Sequence, residues 1–453
     1  MSQVKPLFKH QQQSIDFGRG KPALLDASDP GTGKTRVAVE LARGRIHADN
    51  RAVLVLSPKS SLRSTWFEDF RKFAPELSVQ LAYATNREKA FQNTADVYVT
   101  NHDAVKWLAL KDKKFFKRFS TCIVDESGAY KHYTSARSKA VNKIAPLFEY
   151  REAMNGTLNP NTILDVWNQV FFLDRGERLG KSFHHFRNQV CVPTQVGPSA
   201  NMLRWEDRIG AEEAVAGLIR DITIRHAFQD CTDIPPNHEY SIPFVLKPQH
   251  RNTYRMMAAA GIASMETGVV SAINAAAVST KLLQIASGAV YENEDTYHLV
   301  DTDRYEVIMD LLEPRKHSIC FFLWKHQKQQ LIDAASARGY TYCVIDGSIS
   351  DHEREEAVRL FQAGFYKVLF GHPASMAHSL TLVKAKTTIW ASPTYNLEWF
   401  MQGNKRIDRI GQDEKTETIV VVAEDTIDEK VYAACATKRV RLITLLEELK
   451  EAA

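Results

Sequence analysis

LLDASDPGTGKTRVAVELARGR, Leu24 to Arg45, joins two periodicities through a glycine-bearing turn. The short apolar run Ala23 to Leu25 has the length of a buried strand, and Val37, Ala38, Leu41 and Ala42 then recur at helical spacing. Between them Gly31 and Gly33 free the backbone to curl, so that successive N–H groups converge on phosphate oxygens at a helix N-terminus. Lys34 is placed to reach the terminal phosphates of a nucleotide and Thr35 to hold Mg²⁺. The usual pattern has a glycine at the first position, where this chain has Ser28 or Asp29. The strand-loop-helix setting favours a phosphate loop over a plain glycine turn, but it specifies phosphate and not a reaction.

Composition narrows the class. A chain of 453 residues with 44% hydrophobic content can bury two or three cores, which predicts several domains. The most apolar segment, Met256 to Val290, is interrupted by Glu266, Asn274 and Lys281 and is rich in alanine, so it reads as packed helices and not as a membrane span. No basic-then-apolar leader opens the sequence, which argues against export. Six scattered cysteines without a CxxC pair disfavour a zinc site or a disulfide framework and fit a reducing, cytoplasmic compartment. The net charge of +4 permits nucleic-acid binding without arguing for it.

A hydrolytic carboxylate pair follows in FSTCIVDESGAYKH, where the apolar strand Cys122 to Val124 ends in Asp125 and Glu126. At the end of a parallel strand, Asp125 can orient Mg²⁺ while Glu126 polarises the attacking water as general base. Near the other end, NLEWFMQGNKRIDRIGQ brings Gln402, Arg406, Arg409 and Gln412 into one short segment. Arg406 and Arg409 are one helical turn apart, which predicts two guanidinium groups on one face, able to clamp a γ-phosphate as its charge develops.

Taken together these segments resemble helicase superfamily two, in its Swi/Snf-type branch. The family's terminal motif Q-x-x-x-R-x-x-R-I-G-Q is matched from Gln402 to Gln412, and its D-x-G-x-G-K-T loop from Asp29 to Thr35. LFKHQQQSI is similar to the family's glutamine motif, VLVLSPKSSLRSTWFEDF to its tryptophan-bearing helix, and AMNGTLNPNTILDVWNQVFFL to its T-G-T-P-x-x-N coupling element. VYVTNHDAV looks like the next strand-and-turn element of the first lobe, and VIDGSISDHEREEAVRLFQ and PASMAHSLTLVKAKTTIWASPTYN like second-lobe motifs. The resemblance runs from about residue 6 to residue 440 with all motifs in order.

The resemblance implies two tandem RecA-like lobes, each a doubly wound parallel α/β sheet, over residues 1–234 and 235–453, with helical insertions at about 161–218 and 256–291. The paired prolines of DCTDIPPNHEY read as the connection, and the helical TLLEELKEAA as the close of the second lobe. It implies ATP as substrate, held by Gln11, Gly31, Thr32, Gly33, Lys34, Thr35, Arg36 and Gln402, with Mg²⁺ on Thr35 and Asp125. The catalytic set is Lys34, Asp125, Glu126, Arg406 and Arg409, and the coupling set is Asn155, Gly156 and Thr157. Contacts to DNA are implied for Ser57, Lys59, Ser60, Asn101, Trp324, Lys325, Ser348, Ser375 and His378.

Three positions depart from the family. Ser127 and Gly128 follow the carboxylates where DEAH or DEGH is usual, Asn155 opens the coupling motif in place of Ser or Thr, and glycines are absent near Ala377 and Ser379. Gly128 has no side chain to tie its strand to the coupling motif. The chain is almost entirely the two-lobe engine, as in compact, often phage-encoded relatives. The resulting expectation is an ATP-dependent motor, a monomer in a bacterial or phage-infected cell, that unwinds or branch-migrates forked DNA in replication, recombination or repair. The alternatives are a double-strand translocase that remodels protein–DNA complexes without separating strands, and an ATP-dependent binding switch.

Overall fold

The computed structural model describes residues 6–195, 202–231, 237–266, 272–293, 296–376, 380, 382–408 and 412–450, without the side chains of 261–266 and 272–275. Two units emerge, Met1–Asp233 with Lys438–Ala453, and Ile234–Thr437. Each is built on one open, all-parallel sheet, the α/β architecture expected from apolar strands that alternate with amphipathic helices.

In the first unit the strands are β1 (Ala23–Asp26), β2 (Ala52–Ser57), β3 (Val79–Ala82), β4 (Val97–Asn101), β5 (Phe119–Asp125), β6 (Tyr150–Met154) and, after an antiparallel ribbon of β7 (Cys191–Gln195) and β8 (Leu203–Asp207), β9 (Thr223–Ile224). Their order across the sheet is β3-β4-β2-β5-β6-β1-β9. Strands β1, β2, β4 and β5 are near-continuous apolar runs because both faces are covered, and Trp66, Phe70, Val53, Val55, Val99 and Ile123 share one core. The order sets β1 between β6 and β9, with β5 and β2 next beyond β6. Parallel pairing therefore brings the carboxyl ends of five strands to one edge, where open α/β sheets hold ligands.

The second unit has strands β10 (Asn237–Phe244), a ribbon of β11 (Ala289–Tyr291) and β12 (Tyr297–Leu299), then β13 (Ser318–Phe321), β14 (Tyr342–Ile345), β15 (Val368–Gly371), β16 (Thr387–Trp390) and β17 (Thr416–Ala423). Its sheet order is β10-β17-β16-β13-β15-β14. One ion pair lies inside its apolar core. Arg304, 2% exposed, meets Asp428, 0% exposed, at 2.5 Å, and also donates to the carbonyls of Ala391 (2.7 Å), Val421 (3.0 Å) and Ala286 (3.0 Å). Such a pair is tolerable in low dielectric because these further acceptors occupy the donors of both terminal guanidinium nitrogens, leaving only Nε–H without an acceptor among the described residues.

Three expectations are corrected. The C-terminal stretch expected to close the second lobe groups with the first unit from Lys438 onward. The helix Ile427–Lys450 buries Leu442, Leu445, Leu446 and Leu449, and Arg441 pairs with Asp207 at 3.2 Å while Arg220 donates to the Glu448 carbonyl at 3.0 Å. The insertion at 161–218 is not purely helical: the β7–β8 ribbon follows the helix Phe183–Val190, and the helix Asp165–Asp174 belongs to the core through Val166, Val170 and Leu173. The helix expected to begin near residue 256 starts at Pro248, a residue suited to a first helical turn. Among the described residues no helix is long and apolar enough to cross a membrane.

Asp428→Ala should strand the Arg304 charge in the core and lower unfolding stability by about 3–5 kcal/mol. Urea denaturation followed by tryptophan fluorescence checks this, and a midpoint equal to wild type would show that the pair is dispensable.

Candidate nucleotide-hydrolysis site

The loop leaving β1 is shaped by two glycines in left-handed backbone, Gly31 at φ 92° and Gly33 at φ 85°. A Cβ on Gly33 would lie 2.2 Å from Gln11 Nε2, and one on Gly31 would lie 2.9 Å from the Phe228 ring, so both positions need hydrogen as side chain. Gly33 caps the helix Lys34–Asp49, which leaves the helix's first N–H groups directed at the loop's concave side. Lys34 Nζ donates to the carbonyls of Ser28 (2.7 Å) and Asp29 (3.2 Å), which sets the ammonium inside that curve. Thr35 follows it in the first turn.

One flank of the loop is built by the helix Lys9–Gly18, which carries the residue expected at adenine, Gln11. Gln11 Nε2 donates to the Thr32 carbonyl at 3.3 Å, His10 Nε2 lies 2.8 Å from the same oxygen, and the Phe8 and His10 rings stack at 5.7 Å. The segment after β9 braces the loop from its other flank. Arg225 pairs with Asp29 at 2.9 Å, Phe228 N–H donates to Asp29 Oδ2 at 2.9 Å, and Asp29 N–H donates to the His226 carbonyl at 3.0 Å. Asp29 thus holds the loop's shape while the glycines provide its curvature. Arg36, expected at the nucleotide, instead turns its side chain to Glu40 (2.6 Å) and the Phe73 ring (3.9 Å), which leaves its backbone N–H as the group available to a phosphate.

Asp125 ends β5 two strands from β1. Its Oδ2 accepts from Ser57 Oγ and from Trp66 Nε1, both at 2.9 Å. Burial pushes its carboxyl above the usual carboxylate range, opposed by the Trp66 and Ser57 donors and by the charge of Lys34. Glu126 adopts φ 48°, ψ 57°, a left-handed conformation uncommon for a residue with a long side chain. That turn takes the chain out of the strand direction directly after Asp125. Strain of this kind clusters at functional sites.

The coupling motif leaves β6 beside the phosphate loop. Asn155 N–H donates to the Asp26 carbonyl at 3.0 Å, and a Cβ on Gly156 would lie 2.9 Å from Pro30 Cδ and 3.2 Å from the Ser28 carbonyl. The tie to the carboxylate strand, which Gly128 cannot provide, is made one residue earlier. Ser127 Oγ and Asn155 Nδ2 both donate to Gln169 Oε1, at 2.7 and 2.8 Å.

The residues expected at DNA divide. Ser57 is fully buried on Asp125 and Ser61, so a backbone contact through its side chain is ruled out. Lys59 is exposed and Ser60 half-buried on the following turn, and Asn101 ends β4 with its Oδ1 on Arg87 at 3.1 Å. In the second unit Trp324 and Lys325 follow β13, Ser348 follows β14 and Ser375 follows β15, three neighbouring strand ends. Ser348 donates to Asp346 at 2.5 Å, and Lys328 at 2.8 Å joins it in holding that carboxyl down to about 2 against its partial burial. His378 lies outside the described residues.

The two arginines also divide. The helix Leu397–Asn404 ends before Arg406; in its last turn Gly403 lies so close to the Phe321 and Trp390 rings that a Cβ would sit 2.9 Å from each. Arg406 is 3% exposed and donates through Nη1 to the Leu380 carbonyl at 3.2 Å. Gln402 is likewise buried, and Gln412 donates to the Ile407 (3.0 Å) and Ala385 (3.1 Å) carbonyls. Arg409 lies outside the described residues.

Similarity to known proteins follows the same division of the chain. The family described as "Type III restriction enzyme, res subunit" matches residues 6–162, and "Helicase conserved C-terminal domain" matches residues 303–411. The chain is 28% identical over 427 residues to "Putative protein p41" of Acyrthosiphon pisum secondary endosymbiont phage 1, covering 89% of each. It is 24% identical to the Mus musculus "Chromodomain-helicase-DNA-binding protein 1-like", covering 90% of this chain and 46% of that one. Identity is also 24% to "Putative ATP-dependent helicase/translocase YwqA" of Bacillus subtilis, covering 96% and 48%. The chain thus spans less than half the length of the last two relatives. A solved chain described as "Sulfolobus solfataricus SWI2/SNF2 ATPase core in complex with dsDNA" aligns over 99% of this chain and 97% of its own at 20% identity, with a TM-score of 0.44 that is too low to bear on fold or ligand.

Trp66→Phe removes one of the two donors on Asp125 and should raise its pKa further. The acidic limb of the pH profile of kcat/KM for ATP should then move to higher pH. An unmoved limb would separate that ionisation from Asp125.

Proposed function

We propose that the chain, as an ATPase of helicase superfamily two in its Swi/Snf-type branch, uses ATP to move on DNA and to unwind or branch-migrate forked and branched duplex in replication, recombination or repair. The observation that carries the reading is the placement of Asp125 and Glu126 two strands from a phosphate loop whose Lys34 acts electrostatically on Asp125. Lys34 and the N–H groups of the loop would bind the β- and γ-phosphates, with Gln11 and His10 at the base. Glu126, turned out of its strand by its left-handed backbone, would accept the proton of the attacking water.

The donor set fits Mg²⁺. A hydroxyl at Thr35 and the carboxylate of Asp125 are hard ligands, and a divalent cation would offset the burial that disfavours the Asp125 charge. When bound, the metal neutralises phosphate charge. Arg406 and Arg409 are the candidates for a charge acting on the transferring phosphoryl group.

Contacts to DNA would run through the exposed Lys59 and through the strand-end residues Lys325, Ser348 and Ser375. Binding of this type is electrostatic and sequence-tolerant and weakens steeply with salt.

Glu126→Gln should retain ATP binding and lower kcat about 10²–10⁴-fold. Strand displacement from a labelled three-way fork and from a blunt duplex of matched sequence tests the substrate. Release from the fork alone, lost in Glu126→Gln, is the expected result. Release from neither, with turnover still stimulated by duplex, would replace unwinding by translocation along intact duplex; turnover indifferent to DNA would indicate a binding switch.

A further inference from the structure

Gln169 sits on the helix Asp165–Asp174 among Val166, Val170, Phe172 and Leu173, and it is 1% exposed. A primary amide in such a place costs free energy unless its donors and acceptors are met. Here all are met. Nε2 donates to the carbonyls of Leu158 and Asp165, both at 2.8 Å, and Oε1 accepts from Ser127 Oγ at 2.7 Å and Asn155 Nδ2 at 2.8 Å. The two carbonyls can only accept, which fixes which end of the amide is nitrogen. Asn155 is fixed in the same way, because its Oδ1 accepts from Thr157 N–H at 2.9 Å. Ser127, Asn155 and Thr157 are each at most 3% exposed, so water does not compete for these bonds.

The consequence is a continuous set of contacts through the first unit. Glu126 is covalently joined to Ser127, Ser127 to Gln169 by its hydroxyl, and Gln169 to Asn155 by the amide. Gly156 then abuts Pro30 and the Ser28 carbonyl, on which Lys34 Nζ rests at 2.7 Å. The carboxylate loop and the phosphate loop therefore share one fixed point, and that point is a side chain on a helix that carries neither of them.

We propose that Gln169 is a positioning residue that holds Glu126 in register with the phosphate loop, so that turnover depends on an amide that touches neither nucleotide nor water. This rests on the reading of Glu126 as general base. Loss of the amide leaves both loops folded onto their own strands while freeing Glu126 to shift, and a shift of that kind acts on kcat and not on nucleotide affinity.

The test uses the full chain as Gln169→Leu, Ser127→Ala and the double variant. Equilibrium binding of a fluorescent ATP analogue, kcat at saturating ATP and duplex, and melting temperature are measured on each. Both single variants should keep the dissociation constant within about twofold and lose about tenfold in kcat, and the double variant should be no slower than Gln169→Leu alone, because both substitutions break one link. Ser127→Ala leaves the other bonds of Gln169 in place, so it decides the matter where Gln169→Leu melts early. Wild-type kcat in Ser127→Ala, or a loss of turnover that follows only the melting temperature, would overturn the proposal. Full activity in Glu126→Gln would instead overturn the base assignment, whereas an inactive Glu126→Gln beside a fully active Ser127→Ala rejects the role of Gln169 alone.

Discussion

A carboxylate held at the end of a buried strand is the constraint around which the first unit is arranged. Asp125 is disfavoured as an anion by its surroundings and is kept serviceable by an indole N–H, a serine hydroxyl and a nearby ammonium. Those three groups come from β2, from the irregular helical segment Leu62–Phe67 and from the start of the helix after β1. The sheet order is what brings them together, since only β1, β6, β5 and β2 in sequence across the sheet put the loop, the coupling motif, the carboxylates and Ser57 along one edge.

The wide-turn helix Leu62–Phe67 follows from the same constraint. Residues Leu62 and Trp66 are fully buried, and Trp66 sets its ring in the core while its Nε1 donates to Asp125. Insertions of this type inside helices recur at functional sites. Trp66 thereby belongs to the packing of β2 and β4 and to the charge state of Asp125 at once.

How much of this could be read from residues alone depended on whether a role is local. The phosphate loop, with two glycines, a lysine and a helix in immediate succession, was legible because its chemistry is set within a few residues. The alternation of apolar strands and helices likewise specified two parallel sheets. Pairings across the sheet were not legible: nothing near Asp29 announces Arg225, and nothing near Ser127 announces Gln169, because sheet order and not sequence distance makes them neighbours. Ser57 illustrates the opposite error. A hydroxyl in a strand-end motif looks like a surface contact, and burial shows it to be a donor to Asp125. The helical spacing assumed for Arg406 was extended past Asn404, where the helix stops.

The first unit is completed by residues from both ends of the chain, with Ile234–Thr437 lying between them in sequence. Synthesis proceeds from the N-terminus, and domains generally fold as units as they emerge. Here the whole of the second unit, including Arg304 and Asp428, is synthesised in the interval before Leu442, Leu445, Leu446 and Leu449 are added to complete the first. For that interval the nascent first unit carries its sheet and loops but leaves bare the apolar ground those leucines will occupy. The first unit therefore cannot bury its full core until the helix Ile427–Lys450, which follows the second unit's last strand, is available to it.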